Sequence, residues 1–285
     1  MLHRAPDRMQ ISMTGLNMTG STLTRRGAIA RIGAAIALAA APAGAARAQT
    51  ARKTFVLVHG ALLGGWCWRR VADLLETKGH KVFAPTLTGL GERSHLLSKS
   101  INLDTHVADI VNIVKWEGLA DFCLVAHSYA GFPASAALEQ ISDGASSIVW
   151  LDALKPENGD KVIDFLPYPT RELMLNLAAI GEISFPPSGR APIVVDEKDA
   201  AFVAAKATPH PIGTYLQPVK MSGARERVAK KNYIRLPRFR SLAYDQALAR
   251  CKADESWNTF ELRDTGHMAM LDAPERLADL LLQAA

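Results

Sequence analysis

The 285-residue chain has little cysteine, only Cys67, Cys123 and Cys251. Cys67 lies between tryptophans, Cys123 in an apolar run and Cys251 in a helical pattern. An odd count spread this way excludes a disulfide-dense scaffold and reads as buried thiols, with a single bridge as the alternative. Long apolar runs are also missing. The mildly apolar stretch from Ile32 to Ala45 falls short of the about 18 residues that a membrane span needs, so no stable membrane anchor is expected. No internal repeat is visible.

An excess of positive charge is lacking too, once the N-terminus is set apart. The formal net charge is +5, and residues 1–48 hold six arginines and one aspartate, which account for all of it. The remaining chain carries 27 basic and 27 acidic residues. The basic isoelectric point therefore gives no reason to expect nucleic-acid binding. Residues 1–48 themselves read as a leader. Arg25 and Arg26 precede an Ala-rich segment of signal-peptide length, and Ala46-Arg47-Ala48 offers a small-x-small cleavage site before Gln49. The arginine pair before a weakly apolar stretch favours the twin-arginine route, so a periplasmic or secreted protein is expected.

Beyond the leader, apolar runs alternate with helical patterns. Strands are expected at 54–60, 81–86, 121–127, 146–153, 232–237 and 257–262. Helices are expected at 68–80, from about 104 to 116, after Ser128, and after each of the last two strands. Continuous apolar strands alternating with helices imply an α/β fold with a mostly parallel sheet covered on both faces. Functional residues then gather at the carboxyl ends of strands. The proline-rich stretch from about 155 to 225 breaks the rhythm and is expected to form an inserted cap. Its Phe165, Leu166, Leu173, Met174, Leu177 and Phe185 are candidates for lining an apolar pocket, and also for ordinary cap packing.

One run ends unusually. In "FCLVAHSYAGFPA" (122–134) the apolar residues stop at His127-Ser128 and give way to small ones. Ala126-His127-Ser128-Tyr129-Ala130 has the small-x-Ser-x-small form of a nucleophile elbow, in which a tight strand-to-helix turn lifts Oγ clear of the sheet. The usual flanking glycines are alanines here, with Gly131 one place later. A serine nucleophile needs a base, and "DTGHMAM" supplies His267 in a loop before an amphipathic C-terminal helix. Attack on a carbonyl also needs two backbone donors for the oxyanion. Tyr129, after the nucleophile, and Ala61, in the glycine-rich loop after the first strand, are expected to provide them, with His59 bracing that loop.

The acid is harder to place. The segment "NYIRLPRFRSLAYDQ" offers no carboxylate before Asp245, which a helical pattern claims. Asp152 ends the apolar strand "IVWLDA", where nothing in the strand itself calls for a charge. Asp152 is the choice; Asp264, in the histidine loop, and Asp245 are the alternatives, and a helix-capping role is the plain reading of Asp152. His127 is expected to support the site from behind, and His80 and His210 to be structural. Glu92, Arg93, Ser94 and His95 could border the entrance. Asp104, His106 and Asp109 are spread over a helix face and read as a solvated helix start rather than a metal site; neither metal nor cofactor is expected.

"FVLVHGALLGGWCWRRVADLLETKGHKVFAPTLTGLGERSHL", "LVAHSYAG" and "DTGHMAM" together resemble the α/β-hydrolase group of plant methylesterases, hydroxynitrile lyases and bacterial esterases, over nearly all of 54–285. The resemblance implies Ser128 as nucleophile, His267 as base, Ala61 and Tyr129 as oxyanion donors, and a serine-dependent hydrolysis of small to medium esters. Plant members carry their acid after the strand corresponding to "NYIRLP", and this chain departs from them there. Related dehalogenases carry it one strand earlier in a strand end similar to "WLDA", which supports Asp152 by analogy. A hydroxynitrile lyase and a non-catalytic binding protein are the other readings. By the same resemblance, the lyases carry a threonine at position 60 and a lysine at 268, where this chain has Gly60 and Met268.

Overall fold

The computed structural model describes residues 51–187 and 194–285. The expected leader lies outside them. Six strands form one parallel sheet: β1 (Thr54–Val58), β2 (Lys81–Phe83), β3 (Phe122–His127), β4 (Ala145–Leu151), β7 (Lys230–Arg235) and β8 (Trp257–Glu261), in the order β2-β1-β3-β4-β7-β8. Two short strands, β5 (Ser184–Phe185) and β6 (His210–Pro211), pair antiparallel outside it. The helices are α1 (Arg69–Thr77), α2 (Leu103–Trp116), α3 (Gly131–Ile141), α4 (Tyr168–Ala179), α5 (Glu197–Lys206), α6 (Gly213–Leu216), α7 (Ala224–Arg227), α8 (Leu242–Lys252), α9 (Ala269–Asp272) and α10 (Pro274–Ala284). None is long and apolar enough to cross a membrane, among the described residues.

Side-chain alternation divides each central strand between two cores. Val56, Val58, Leu124, Ala126, Ile148, Trp150 and Tyr233 pack on one face with α2, α3 and α8. Phe55, Leu57, Cys123, Val125, Val149, Leu151 and Ile234 pack on the other with α1, α9 and α10. Because both faces are covered, β3 up to Ala126 and the second half of β4 are apolar without interruption, which is why they read as continuous runs. The three cysteines are free and buried.

Several boundaries differ from the sequence reading by local chemistry. The second strand stops at Phe83 because Pro85 has no N–H for a ladder. Helix α1 ends at Thr77, two residues before Gly79 adopts a left-handed φ of 89° and terminates it. Between β4 and β7 the described chain forms α4 to α7 and the β5–β6 pair. Its Phe165, Leu166 and Tyr215 reach the cavity beside Ser128.

Candidate active site

Ser128 follows directly on β3, in a single tight helical turn (Ser128–Ala130) that runs into α3. Its φ is +57°, which for a residue with a Cβ is a strained left-handed conformation. Asp152 follows directly on β4 and has φ +44°. Leu62, in the loop after β1, has φ +67°. Three of the four non-glycine residues with positive φ among the described residues thus lie around one point, the fourth being Asp121. Such strain persists only where surrounding contacts hold it in place.

Those contacts are visible. The Leu154 N–H donates to the Ser128 carbonyl at 3.1 Å, and the Leu154 carbonyl accepts from Trp150 Nε1–H at 3.1 Å. A Cβ added at Gly131 would stand 1.9 Å from that carbonyl oxygen. The elbow therefore tolerates alanines at 126 and 130, both fully buried, while its glycine requirement falls on Gly131. At Gly60 an added Cβ would come within 2.9 Å of both Ser128 Cβ and His127 Nδ1. The loop after β1 is pressed against the serine as closely as a glycine allows.

His267 Nδ1 lies 2.7 Å from Asp152 Oδ2, and His267 Nε2 lies 2.8 Å from Ser128 Oγ. A carboxylate can only accept, so Nδ1 carries the ring proton and Nε2 is left as the acceptor for the serine O–H. Asp152 is wholly buried, and its second oxygen is held as firmly as the first. Asp152 Oδ1 accepts from Arg235 Nη1 at 2.6 Å and from the Leu236 N–H at 3.1 Å. Arg235 also binds Asp245 Oδ1, at 2.7 and 2.9 Å, and the Phe239 carbonyl at 3.0 Å. Burial alone would lower the pKa of Arg235, but the two carboxylates outweigh it and raise it. Two carboxylates and one guanidinium leave one net negative charge on this group of three, on the Nδ1 side of His267.

The His267 ring is stacked against two aromatic neighbours. Phe239 lies at 4.3 Å between ring centres, and Tyr244 at 5.3 Å with 13° between planes. Tyr244 also places its hydroxyl 3.0 Å from Ser128 Oγ. The His267 carbonyl accepts from His127 Nε2–H at 2.9 Å. Burial, and next the neighbouring His267, hold the pKa of His127 well below the ordinary imidazole range. A neutral His127 sets no positive charge against one forming on His267.

The loop after β1 is braced from below. His59 Nδ1–H donates to the Gly60 carbonyl at 2.8 Å, and its Nε2 accepts from the Leu87 N–H at 3.0 Å. His210 Nδ1 accepts from the Leu62 N–H at 3.2 Å. The Tyr129 hydroxyl donates to His106 Nδ1 at 2.8 Å, while His106 Nε2–H donates to the Thr88 carbonyl at 2.9 Å. Tyr215 stacks on Tyr129 at 5.5 Å and 4°. Both residues expected to bind the oxyanion thus belong to tightly fixed segments.

The structure brings Ser128, His267 and Asp152 together and leaves the other carboxylates aside. Asp245 faces Arg235, and Asp264 pairs with Arg276 on the surface. Two expectations are corrected. His106 and Asp109 do not belong to a solvated helix start: His106 is wholly buried under Tyr129, and Asp109 accepts from the Thr88 N–H, the Thr88 hydroxyl and Arg93. The segment Glu92–His95 does not border the cavity beside Ser128. Arg93 turns to Thr86 and Asp109, and Glu92 lines a separate hollow with Trp66 and Arg69. Of the cap residues singled out, Phe165 and Leu166 line the cavity; Leu173 is exposed, Met174 and Phe185 are buried, and Leu177 is partly buried. That cavity measures about 590 Å³ and has aromatic walls from Tyr129, Phe165, Tyr215, Phe239 and Tyr244.

Parallel sheet, strained serine, and histidine in the loop before the last helices together define an α/β-hydrolase. Residues 55–280 match the family model described as "Alpha/beta hydrolase family", and the chain belongs to that family. A carbendazim-hydrolysing esterase of Nocardioides sp. (strain SG-4G) is 32% identical over 238 residues, which cover 80% of this chain and 97% of the relative. Putative methylesterase 19 of Arabidopsis thaliana is 25% identical, over 82% of this chain and 98% of that protein. An extracellular α/β-hydrolase from a Paenibacillus species superposes with a TM-score of 0.71 at 22% identity, covering 82% of this chain and 99% of that one. That likeness concerns the fold alone.

Proposed function

We propose that this chain is a serine carboxylic-ester hydrolase that works through an acyl-enzyme. The observation that carries the reading is the series Ser128 Oγ, His267 Nε2, His267 Nδ1, Asp152 Oδ2, with contacts of 2.8 and 2.7 Å at a serine held at positive φ. His267 takes the serine proton as Oγ attacks the ester carbonyl. The oxyanion is received by the N–H groups of Tyr129 and Ala61, the Leu62 N–H being already engaged by His210. Collapse expels the alcohol, which leaves with the proton from His267. Water then attacks the acyl group by the same route and regenerates Ser128.

The aromatic cavity fits esters of small to medium size, and the named action of the bacterial relative makes carbendazim one compound to try. Nothing in the site favours the lyase reading. A threonine at 60 would have to occupy space held by Ser128 and His127, and Met268 is wholly buried. The test is a panel of p-nitrophenyl esters of rising chain length, together with carbendazim and a fluorophosphonate probe. Wild type should turn over some of these esters and be labelled at Ser128, and Ser128→Ala should do neither. Wild type inert toward every ester and unlabelled would overturn the proposal. We further propose that the precursor is exported by the twin-arginine route, on the strength of Arg25-Arg26 and Ala46-Arg47-Ala48. Replacing both arginines by lysine should hold the precursor in the cytoplasm; unchanged export would refute the route.

A further inference from the structure

Ser128 Oγ has a second partner that the mechanism above does not use, the hydroxyl of Tyr244 at 3.0 Å. The direction of that bond follows from proton counting. Nδ1 of His267 carries its proton toward Asp152, so the serine O–H must donate to Nε2. Oγ then has only lone pairs left, and Tyr244 must be the donor. Its phenol remains protonated, because burial and then the nearby Asp152 carboxylate raise its pKa. The hydroxyl is fixed in place. Arg235 grips Asp245 next along α8, and the Tyr244 ring lies against His267 and Phe239.

We propose that Tyr244 is a catalytic residue of the esterase reaction, a second hydrogen-bond donor to the serine oxygen that acts chiefly when the acyl-enzyme breaks down. The proposal rests on the ester-hydrolase reading given above. In the resting enzyme the donor already binds Oγ, so its contribution to acylation is largely cancelled by the ground state. In the acyl-enzyme Oγ is an ester oxygen, a poor acceptor, and the bond is weak. When the second tetrahedral intermediate collapses, the C–Oγ bond breaks and its electron pair passes to Oγ. The His267 imidazolium returns its proton there, while Tyr244 keeps its own proton and donates a hydrogen bond to the developing charge. Only at this step is the bond stronger in the transition state than in the state before it.

Tyr244→Phe keeps the ring stacked on His267 and removes only the hydroxyl. Stopped-flow release of p-nitrophenol from a short-chain ester should show a burst approaching one equivalent per site. kcat should fall about 10- to 100-fold, the size of a hydrogen bond to a charged acceptor, and KM should fall with it. kcat/KM, which reports acylation, should change by only a few fold. Unchanged kcat and burst would overturn the proposal, and so would an equal loss in kcat and kcat/KM without a burst, the mark of a merely structural role. Should the phenylalanine variant fold poorly, 3-fluorotyrosine at 244 supplies a stronger donor of the same shape. Deacylation should then be faster than wild type, and an unchanged rate would count against Tyr244. These failures differ from failure of the esterase reading, in which wild type itself shows neither turnover nor labelling.

Discussion

Asp152→Asn is the most informative single change. The amide oxygen will take the Oδ1 position, since that site is filled by two donors, Arg235 Nη1 at 2.6 Å and the Leu236 N–H at 3.1 Å. The NH₂ group then falls where Oδ2 stood, 2.7 Å from His267 Nδ1, and must donate. That forces the His267 proton onto Nε2, the atom that has to accept from Ser128. The base is turned the wrong way round while every heavy atom stays in place. The chemical step should slow by about 10⁴-fold, the cost of the wrong tautomer in a serine triad. Stability should suffer less. Arg235 loses its buried partner but keeps Asp245, so the loss belongs at the low end for a broken buried ion pair, about 3 kcal/mol. Steady-state hydrolysis of a p-nitrophenyl ester and a urea unfolding curve measure the two effects separately. Asp264→Asn, remote on the surface, is the control and should match wild type. An Asp152→Asn enzyme within tenfold of wild type would refute the tautomer reasoning, and a dead Asp264→Asn would move the acid elsewhere.

Two further outcomes follow from groups around the site. Burial lowers the pKa of His59 and of His106 to about 4, and takes those of His127 and His210 well below the ordinary range. The unfolded chain therefore binds protons from about pH 6.5 downward that the folded chain refuses, and stability falls as the pH drops from there to about 4, by about 1.4 kcal/mol per pH unit for each histidine. Urea unfolding between pH 6 and 4.5 should show a shallower slope for His59→Gln by about one such increment, and equal slopes would contradict the assignment. Gly131→Ala should destabilise by about 3 kcal/mol or more, because its methyl group would press on the Leu154 carbonyl at 1.9 Å and that segment is tied to Ser128. A thermal melt matching wild type would show that the Leu154 segment yields without cost.

The sheet was legible because burial on both faces turns strands into apolar runs, and the place of Ser128 at the tip of β3 because a serine at the end of such a run has no packing role. His267 was legible from its frame of strand, Gly266 and helix. Asp152 could be chosen because a charge at an apolar strand end demands a partner. The partner itself, Arg235, went unread, although the same logic applies to an arginine inside "YIRLP". Tyr244 and Phe239 left no signal, since an aromatic residue in a helix or loop looks like core packing whatever its ring touches. The inward turn of His106 and Asp109 was missed for a related reason. Their targets, Thr88 and Tyr129, are brought near only by the packing of α2 on α3 and the loop after β2, which no local pattern reveals.

Asp152 is also where the chain leaves β4 for the long segment that leads to β7. Its N–H is tied to the Ile234 carbonyl at 2.7 Å, and two residues on the Leu154 N–H is tied to Ser128. The carboxylate that meets His267 and the restraint on Ser128 therefore stand on the first three residues after β4. A segment swinging about that root would drag the Asp152–His267 contact out of line. A movement that keeps the relay aligned must therefore leave Asp152 to Leu154 in place, whatever happens at Phe165, Leu166 and Leu242, which line the cavity.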